Sequence, residues 1–332
     1  MTRMRVLPRL LAAASGTRLA YAALTGLQPR DESTWIRANH RGEPVTLLEG
    51  PAVTVAAVGA AFAVPGLDAR SRLALSVAAA GAGAFGRYDD VAGGNDRRGF
   101  RGHLGALARG EITTGAVKIA GIGAVGLAAG ILLDGRDQAL GVASPVSRSL
   151  PALSRLADVV INTGLVAGGA NLINLFDLRP GRAIKVSLLS SLALGLGGER
   201  CRAAAAAPAG AAAAMLPEDL GERAMLGDCG ANAIGAMLGV AAASLPRPAR
   251  VLGLGAVAAL TLASEKISFT QVIARTPALN WLDMLGRRPV IPATGESGPQ
   301  NRSVRPDGAI PLDGETSQVS AASASAETTR PL

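Results

Sequence analysis

Long apolar runs alternate with short polar connections along most of the chain. Lipid offers no hydrogen bonds to a backbone, so a long run without charges is predicted to cross a membrane as a helix. Several runs are shorter than the roughly 20 residues that a span needs, so their ends must extend into the connections. The nine predicted spans are residues 7–27, 48–65, 73–86, 114–133, 159–176, 183–198, 203–216, 231–245 and 251–264. The pattern predicts an all-α fold, a polytopic transmembrane helical bundle.

Composition favours the same class. The 332 residues are 49% hydrophobic but only 3% aromatic, and 42 of them are glycine. Soluble cores also use large aromatic and branched side chains, whereas helices in lipid favour small residues that let backbones approach closely. The net charge of +8 is spread between the apolar runs without a basic stripe, so nucleic acid is not an expected partner.

The basic residues predict an orientation. The first run also fits a signal peptide, but Arg18 interrupts it and the later runs are membranous, which favours a retained first helix. Lysine and arginine are most abundant in the odd-numbered connections and the C-terminal segment, and basic connections favour the cytoplasm. The prediction is a multi-pass protein of the cell membrane with its N-terminus outside and its C-terminus inside.

Residues 1–288 form the predicted transmembrane domain, and residues 289–332 form a predicted disordered cytoplasmic tail. The tail is rich in Ser, Thr, Gly, Pro and Glu and has no aromatic residue, a composition that buries too little surface to fold. Cys201 and Cys229 fall on opposite faces of the membrane in this topology, so both are expected to be free thiols.

Polar residues cluster in the connections that are predicted to be cytoplasmic. After the third run, Asp89 and Asp90 are followed by a basic segment that contains Arg101 and His103. Paired carboxylates at a helix end can hold Mg²⁺, and arginines can hold phosphate oxygens. The alternative is a solvated loop whose acids offset its own arginines, because short carboxylate motifs also occur by chance.

Two further polar groups follow. Asn171, Asn174 and Asp177 end the fifth run at a spacing of three residues, which places them on one helical face. Such residues face a cavity or a partner helix, with end-capping as the alternative. Before the eighth run, Gly227 and Gly230 surround Asp228 and free the backbone around this carboxylate, which otherwise is a helix N-cap.

Together these segments resemble one family, the polyprenyl-phosphate N-acetylhexosamine-1-phosphate transferases. The resemblance covers about residues 30 to 288, and its motifs lie in the family's order. The matching segments are 39–50, Asp89-Asp90, Asn174-Leu175-Phe176-Asp177 and Gly227-Asp228-Cys229-Gly230.

The resemblance implies a Mg²⁺-dependent attack by a lipid phosphate on the β-phosphorus of a UDP-sugar, with release of UMP. It assigns Mg²⁺ to Asp228 and Asp90, and the lipid phosphate to Asp89 and Asp90. The implied substrate contacts are Asn171, Asn174, Asp177, Arg101 and His103. The implied partners are polyprenyl phosphate, a UDP-sugar and membrane lipids, while a homodimer is left open. All these groups must share one pocket, so the carboxylates are expected within roughly 10 Å of each other.

Three departures from the family pattern keep other functions open. Pro180 stands where the family has a second aspartate, the family's histidine-rich segment falls on residues 276–281 without a histidine, and a final membrane helix is missing. The first alternative is a catalytically degenerate relative that binds a lipid-linked precursor or scaffolds envelope assembly. The second is a transporter or channel, for which charges inside helices are expected, and Arg18 and Lys118 are the candidates.

Overall fold

The computed structural model describes residues 6–27, 34–63, 67–93, 105–106, 109–111, 113–139 and 151–289, and these residues are mainly helical. Each of the nine apolar runs overlaps a described helix. The helices are α1 (Val6–Gly26), α2 (Glu49–Ala63), α3 (Ala69–Ala92), α4 (Thr114–Ala139), α5 (Pro151–Phe176), α6 (Arg182–Gly195), α7 (Glu199–Leu220), α8 (Gly227–Ala242), α9 (Arg247–Ser264), α10 (Phe269–Arg275) and α11 (Pro277–Met284). The predicted helical class is therefore confirmed, and the predicted tail lies outside the described residues beyond Pro289.

Two described helical stretches are long and apolar enough to cross a membrane, Thr114–Gly135 and Ala152–Phe176. A third crossing results if α9 and α10, which meet at an angle of 95°, are one broken span. Other helices differ in identifiable ways: α6 and α8 have only 14 and 16 residues, and α7 contains two internal prolines and charged residues at both ends. A membrane protein with two or three such helices is supported, while nine crossings stay a prediction.

Helix α8 lies at the centre of the bundle, against α2, α3, α5, α6 and α7. Glycines allow backbones to approach closely here, because an added Cβ would collide with the facing backbone. Gly86 of α3 faces Asp228, and Gly169 of α5 and Gly235 of α8 face each other. The glycine content thus places the N-terminus of α8 directly against the last turns of α3.

A small hairpin is the exception to the helical fold among the described residues. Strand β1 (Ile36–Ala38) pairs antiparallel with β2 (Pro44–Thr46), and the turn uses Gly42 at a φ of 81°. Thr46 also bonds to the backbone beside Ala224, just before α8. On its other side Arg37 donates to the carbonyl of Asp90. The hairpin therefore braces both the end of α3 and the start of α8.

A buried ion cluster fixes the C-terminal helices. Arg182 at the start of α6 donates two hydrogen bonds to the carboxylate of Asp283 in α11, at 2.7 and 2.9 Å. Arg287 donates to the same carboxylate at 2.9 Å. Lys185 donates to the carbonyls of Leu282 and Asp283, so the segment after the bent α9–α10 pair is tied back onto α6.

Both cysteines are buried free thiols, as expected. Cys201 donates to the carbonyl of Ala241, and Cys229 contacts the Thr54 hydroxyl at 3.7 Å. The two thiols therefore contribute to helix packing in separate places.

Candidate active site

The turn before α8 presents three successive backbone amides to two carboxylates from other elements. Gly227 has a φ of 59°, a conformation that glycine adopts without strain. Asp90 accepts from the amides of Asp228 and Cys229, both at 3.0 Å, and Asp177 accepts from the amide of Gly227. Asp90 from α3 and Asp177 from the end of α5 therefore cap the N-terminus of α8 and hold Asp228 in position.

Lys118 joins the two remaining carboxylates of the site. Its ammonium group lies 3.3 Å from Asp89 and forms an ion pair with Asp228. One ammonium group thus holds the carboxyl groups of Asp89 and Asp228 close together. The predicted approach of Asp89, Asp90 and Asp228 is therefore confirmed, and Lys118, which the sequence suggested only as a buried charge, belongs to the same cluster.

The electrostatics of this cluster bring the pKa of one carboxyl group, Asp228, close to neutral pH. The pKa of Asp228 is raised to about 6. Burial is the main cause, Lys118 opposes the rise, and the nearby Asp90 adds to it. Burial also raises the pKa of Asp90, against the lowering effect of its two amide hydrogen bonds. A carboxyl group with a pKa near 6 can release or take up a proton during a reaction at neutral pH.

An interhelical cavity of about 390 Å³ begins at this cluster. Asp89 and Lys118 line it together with apolar residues of α4 and α5. Its polar lining includes Asn171, Asn174, Asn232, Thr261, Ser264 and Glu265. The cavity is thus bounded by α4, α5 and α9, the helices that supply the two or three membrane-length spans.

A second cavity of about 460 Å³, the hairpin cavity, lies between the β-hairpin, the α5–α6 connection and the end of α7. Asn39 and His40 line it from the hairpin, Asp177 and Pro180 from the α5–α6 connection, and Asp219 from α7. Asn174 and Asp177 were expected in one pocket. The structure separates them, because α5 ends between the two residues and the chain turns toward α6.

Asp219 lines the same cavity as Pro180, the position where the resemblance implies a second aspartate. It accepts a hydrogen bond from the backbone of Gly181, the residue after Pro180, and its other oxygen has no hydrogen-bond partner. Nothing in the spacing of the motifs indicated Asp219, which comes from a different helix. Its position next to Pro180 means that the hairpin cavity still contains a second carboxyl group besides Asp177.

Asp219 predicts an unusual dependence of stability on pH. Its side chain is 4% exposed, and burial raises its pKa from 3.8 to about 7. The folded protein keeps this proton while the unfolded chain loses it, so stability is expected to fall as pH rises from about 4 to about 7, by up to about 4 kcal/mol. Asp219→Asn stays neutral, so it should remove this slope and unfold at a higher temperature than wild type at pH 8.

Thermal unfolding of the purified protein at pH 5 and pH 8 measures this effect. Glu218→Gln is the matched control, because the neighbouring arginines lower the pKa of Glu218 and its loss should leave the slope in place. Parallel pH profiles for wild type and Asp219→Asn would contradict the prediction.

Neither a known family model nor a curated protein matches the chain. The resemblance to the sugar-1-phosphate transferases therefore depends on the sequence motifs alone. Arg101 and His103, two of the expected substrate contacts, lie outside the described residues. The segment that replaces the family's histidines forms α11, and the following Arg287 reaches His40 at 3.5 Å beside the hairpin cavity.

The donor set fits Mg²⁺ in part. Mg²⁺ is usually held by one or two carboxylates together with waters and substrate phosphates, and Asp89 and Asp228 provide such a pair. Both oxygens of Asp90 already accept backbone amides, so Asp89 is better placed than Asp90 to share a cation with Asp228. Within the described residues, no group of three His, Cys, Asp or Glu side chains could hold a metal ion, so substrate oxygens would have to complete the shell.

Proposed function

We propose that this chain is a membrane enzyme that transfers a sugar 1-phosphate from a UDP-sugar to polyprenyl phosphate, with Mg²⁺ as cofactor. One observation carries the proposal. The Asp89–Lys118–Asp228 cluster lies at a cavity whose walls are the membrane-length helices. A phosphate at the end of a lipid chain could reach these charged groups while the chain stays among apolar helices.

The two cavities suggest separate places for the two substrates. The interhelical cavity suits the lipid phosphate, because its walls are apolar helices and its end carries Lys118. The hairpin cavity suits the nucleotide, because Asp177, Asp219, Glu222 and His40 offer hydrogen-bonding groups and Arg179 offers positive charge. Asp228 lies at the start of α8, where its amide donates to Asp90 and its carboxylate pairs with Lys118.

The reaction requires an oxygen of the lipid phosphate to bond to the β-phosphorus of the donor, while the bond from that phosphorus to the UMP oxygen breaks. Bound Mg²⁺, held by Asp89 and Asp228, would neutralise charge on the donor's diphosphate. Lys118 would neutralise charge on the incoming phosphate. Asp90 would act through the α8 amides, so it is a positioning residue.

A second candidate is a relative that binds a lipid-linked precursor without catalysis. The missing histidines and Pro180 favour it. It shares the cavities and the membrane location with the enzyme but requires no turnover.

The decisive test is UMP release by purified protein supplied with polyprenyl phosphate, Mg²⁺ and a panel of UDP-sugars. The expected result is release that needs both the lipid phosphate and Mg²⁺, and that stops when a chelator is added. Absence of UMP with every donor would support the non-catalytic candidate. In cells, we expect the cluster to face the cytoplasm, where nucleotide sugars are present.

A further inference from the structure

Asn232 is an anomaly in α8. It is the one polar residue between Gly230 and Ala242, its side chain has no exposed surface, and neither its amide nitrogen nor its oxygen has a hydrogen-bond partner. A buried polar group without a partner destabilises the fold, and an apolar side chain would avoid this cost. Its presence therefore calls for a ligand group that completes its hydrogen bonds.

The position of Asn232 indicates where that ligand would lie. It follows Asp228 by four residues, which places both side chains on one face of α8, and it lines the interhelical cavity together with Asp89 and Lys118. On the opposite wall Thr261 accepts from Asn171 at 3.3 Å. Neutral amide and hydroxyl groups thus line the cavity around Lys118, while Asp89 and Glu265 are the acidic groups of its wall.

The chemistry of this lining favours a phosphate group. A water molecule occupies about 30 Å³, so one water does not account for a cavity of about 390 Å³. An isoprenoid chain has no hydrogen-bonding atoms that could satisfy an amide. A phosphate monoester offers several oxygens to neutral donors and to Lys118, and an attached lipid chain could extend between α4, α5 and α9.

We infer that Asn232 binds the phosphate group of the acceptor lipid and makes the cavity selective for a lipid phosphate. The inference rests on the proposed function, because it assigns the acceptor to this cavity. It adds a substrate-binding residue that lies outside the four matched motifs. Asp228 would act on the donor side, and Asn232 would hold the acceptor one helical turn deeper.

Binding of soluble probes tests the inference without turnover. Purified full-length protein is titrated with farnesyl phosphate, with farnesol and with inorganic phosphate, in the presence of Mg²⁺. Wild type should bind farnesyl phosphate more tightly than either of the other probes. Asn232→Leu should weaken farnesyl phosphate binding about 10- to 100-fold, the range expected for lost hydrogen bonds to a charged group, and leave farnesol binding unchanged.

Thermal unfolding without ligand gives a second readout. If Asn232 only stabilised the fold, its replacement would lower the unfolding temperature. Asn232→Leu should unfold at a higher temperature than wild type, because an unpaired buried amide is removed. Asn162→Leu is the matched control, since Asn162 is also fully buried but does not line the cavity and accepts from Arg250 at 3.0 Å. It should lower the unfolding temperature and leave farnesyl phosphate binding unchanged.

Unchanged farnesyl phosphate binding in Asn232→Leu would overturn the inference, and so would equal binding of farnesyl phosphate and inorganic phosphate by wild type. Asn232→Ala provides the same comparison if the leucine variant does not fold. UMP release measured on the same preparations judges the proposed function separately. If the protein releases UMP and Asn232→Leu binds farnesyl phosphate like wild type, only this inference is wrong. If Asn232→Leu weakens binding but wild type releases no UMP, the proposed transferase function is wrong.

Discussion

Asp228→Asn is expected to lower the rate of UMP release about a thousandfold, or about 4 kcal/mol in activation free energy. The substitution keeps the size of the side chain and removes the charge that pairs with Lys118 and would hold the cation. The backbone amide of residue 228 still reaches Asp90, so the fold of the α8 turn should persist. The measurement is UMP release at saturating donor and acceptor, together with the unfolding temperature of each variant.

Asp90→Asn is the informative comparison for Asp228→Asn. One of its two hydrogen bonds to the α8 amides survives through the amide oxygen, while the other loses its acceptor. We expect a smaller loss of UMP release and a lower unfolding temperature, because Asp90 acts by holding the turn. Equal loss of activity in both variants with unchanged stability would show that Asp90 itself touches the substrates or the cation.

The pH dependence of turnover gives an independent check on Asp228. Its raised pKa of about 6 means that the ionised form, which pairs with a cation, becomes the main form above that pH. Activity of wild type should therefore rise as pH increases through about 6. If activity does not change between pH 5 and pH 7, ionisation of Asp228 does not affect the rate-determining step.

Asp283→Leu is expected to destabilise the protein by about 3–5 kcal/mol, the usual effect of breaking a buried ion pair from one side. Arg182 and Arg287 would both remain in a nearly closed environment, with side chains 5% and 8% exposed, and would lose their common acceptor. Removing a second charge by Arg182→Met in the same chain should recover part of the loss. Chemical denaturation of the purified protein in detergent compares wild type with the single and the double variant.

Glu43→Gln serves as the surface control for Asp283→Leu. Glu43 pairs with Arg288 at 2.6 Å, but both side chains are more than two-fifths exposed. Exposed ion pairs contribute only about 0–1 kcal/mol, so this variant should unfold almost like wild type. Comparable destabilisation by Glu43→Gln and Asp283→Leu would contradict the view that α11 is held mainly by the buried cluster.

The amino-acid pattern alone was sufficient to predict the nine longer helices, α1 to α9. The nine long apolar runs predicted nine helical segments, because helix formation in an apolar setting depends on local backbone hydrogen bonds. The hairpin around Gly42 was not predicted, since its two strands have only three residues each and depend on pairing with the backbone beside Ala224. The short helices α10 and α11 were not predicted either, because they are held by contacts with α6.

The candidate site divides in the same way. Local motifs identified Asp89, Asp90 and Asp228, because carboxylates next to glycines or at helix ends are visible in a single segment. Their separate roles were not visible, since Asp90 turns to the α8 amides and Asp89 to Asp228 only after α3 and α8 pack through Gly86.

What the sequence determined by itself is thus the class of fold and the acidic residues that could carry chemistry, both of which depend on neighbours in the chain. The tertiary structure alone decided which groups meet. Lys118 from α4 joins Asp89 from α3, and Asp219 from α7 reaches the backbone beside Pro180. The physical reason is that ion pairs and shared hydrogen bonds form between side chains far apart in sequence, and helix packing sets their distance.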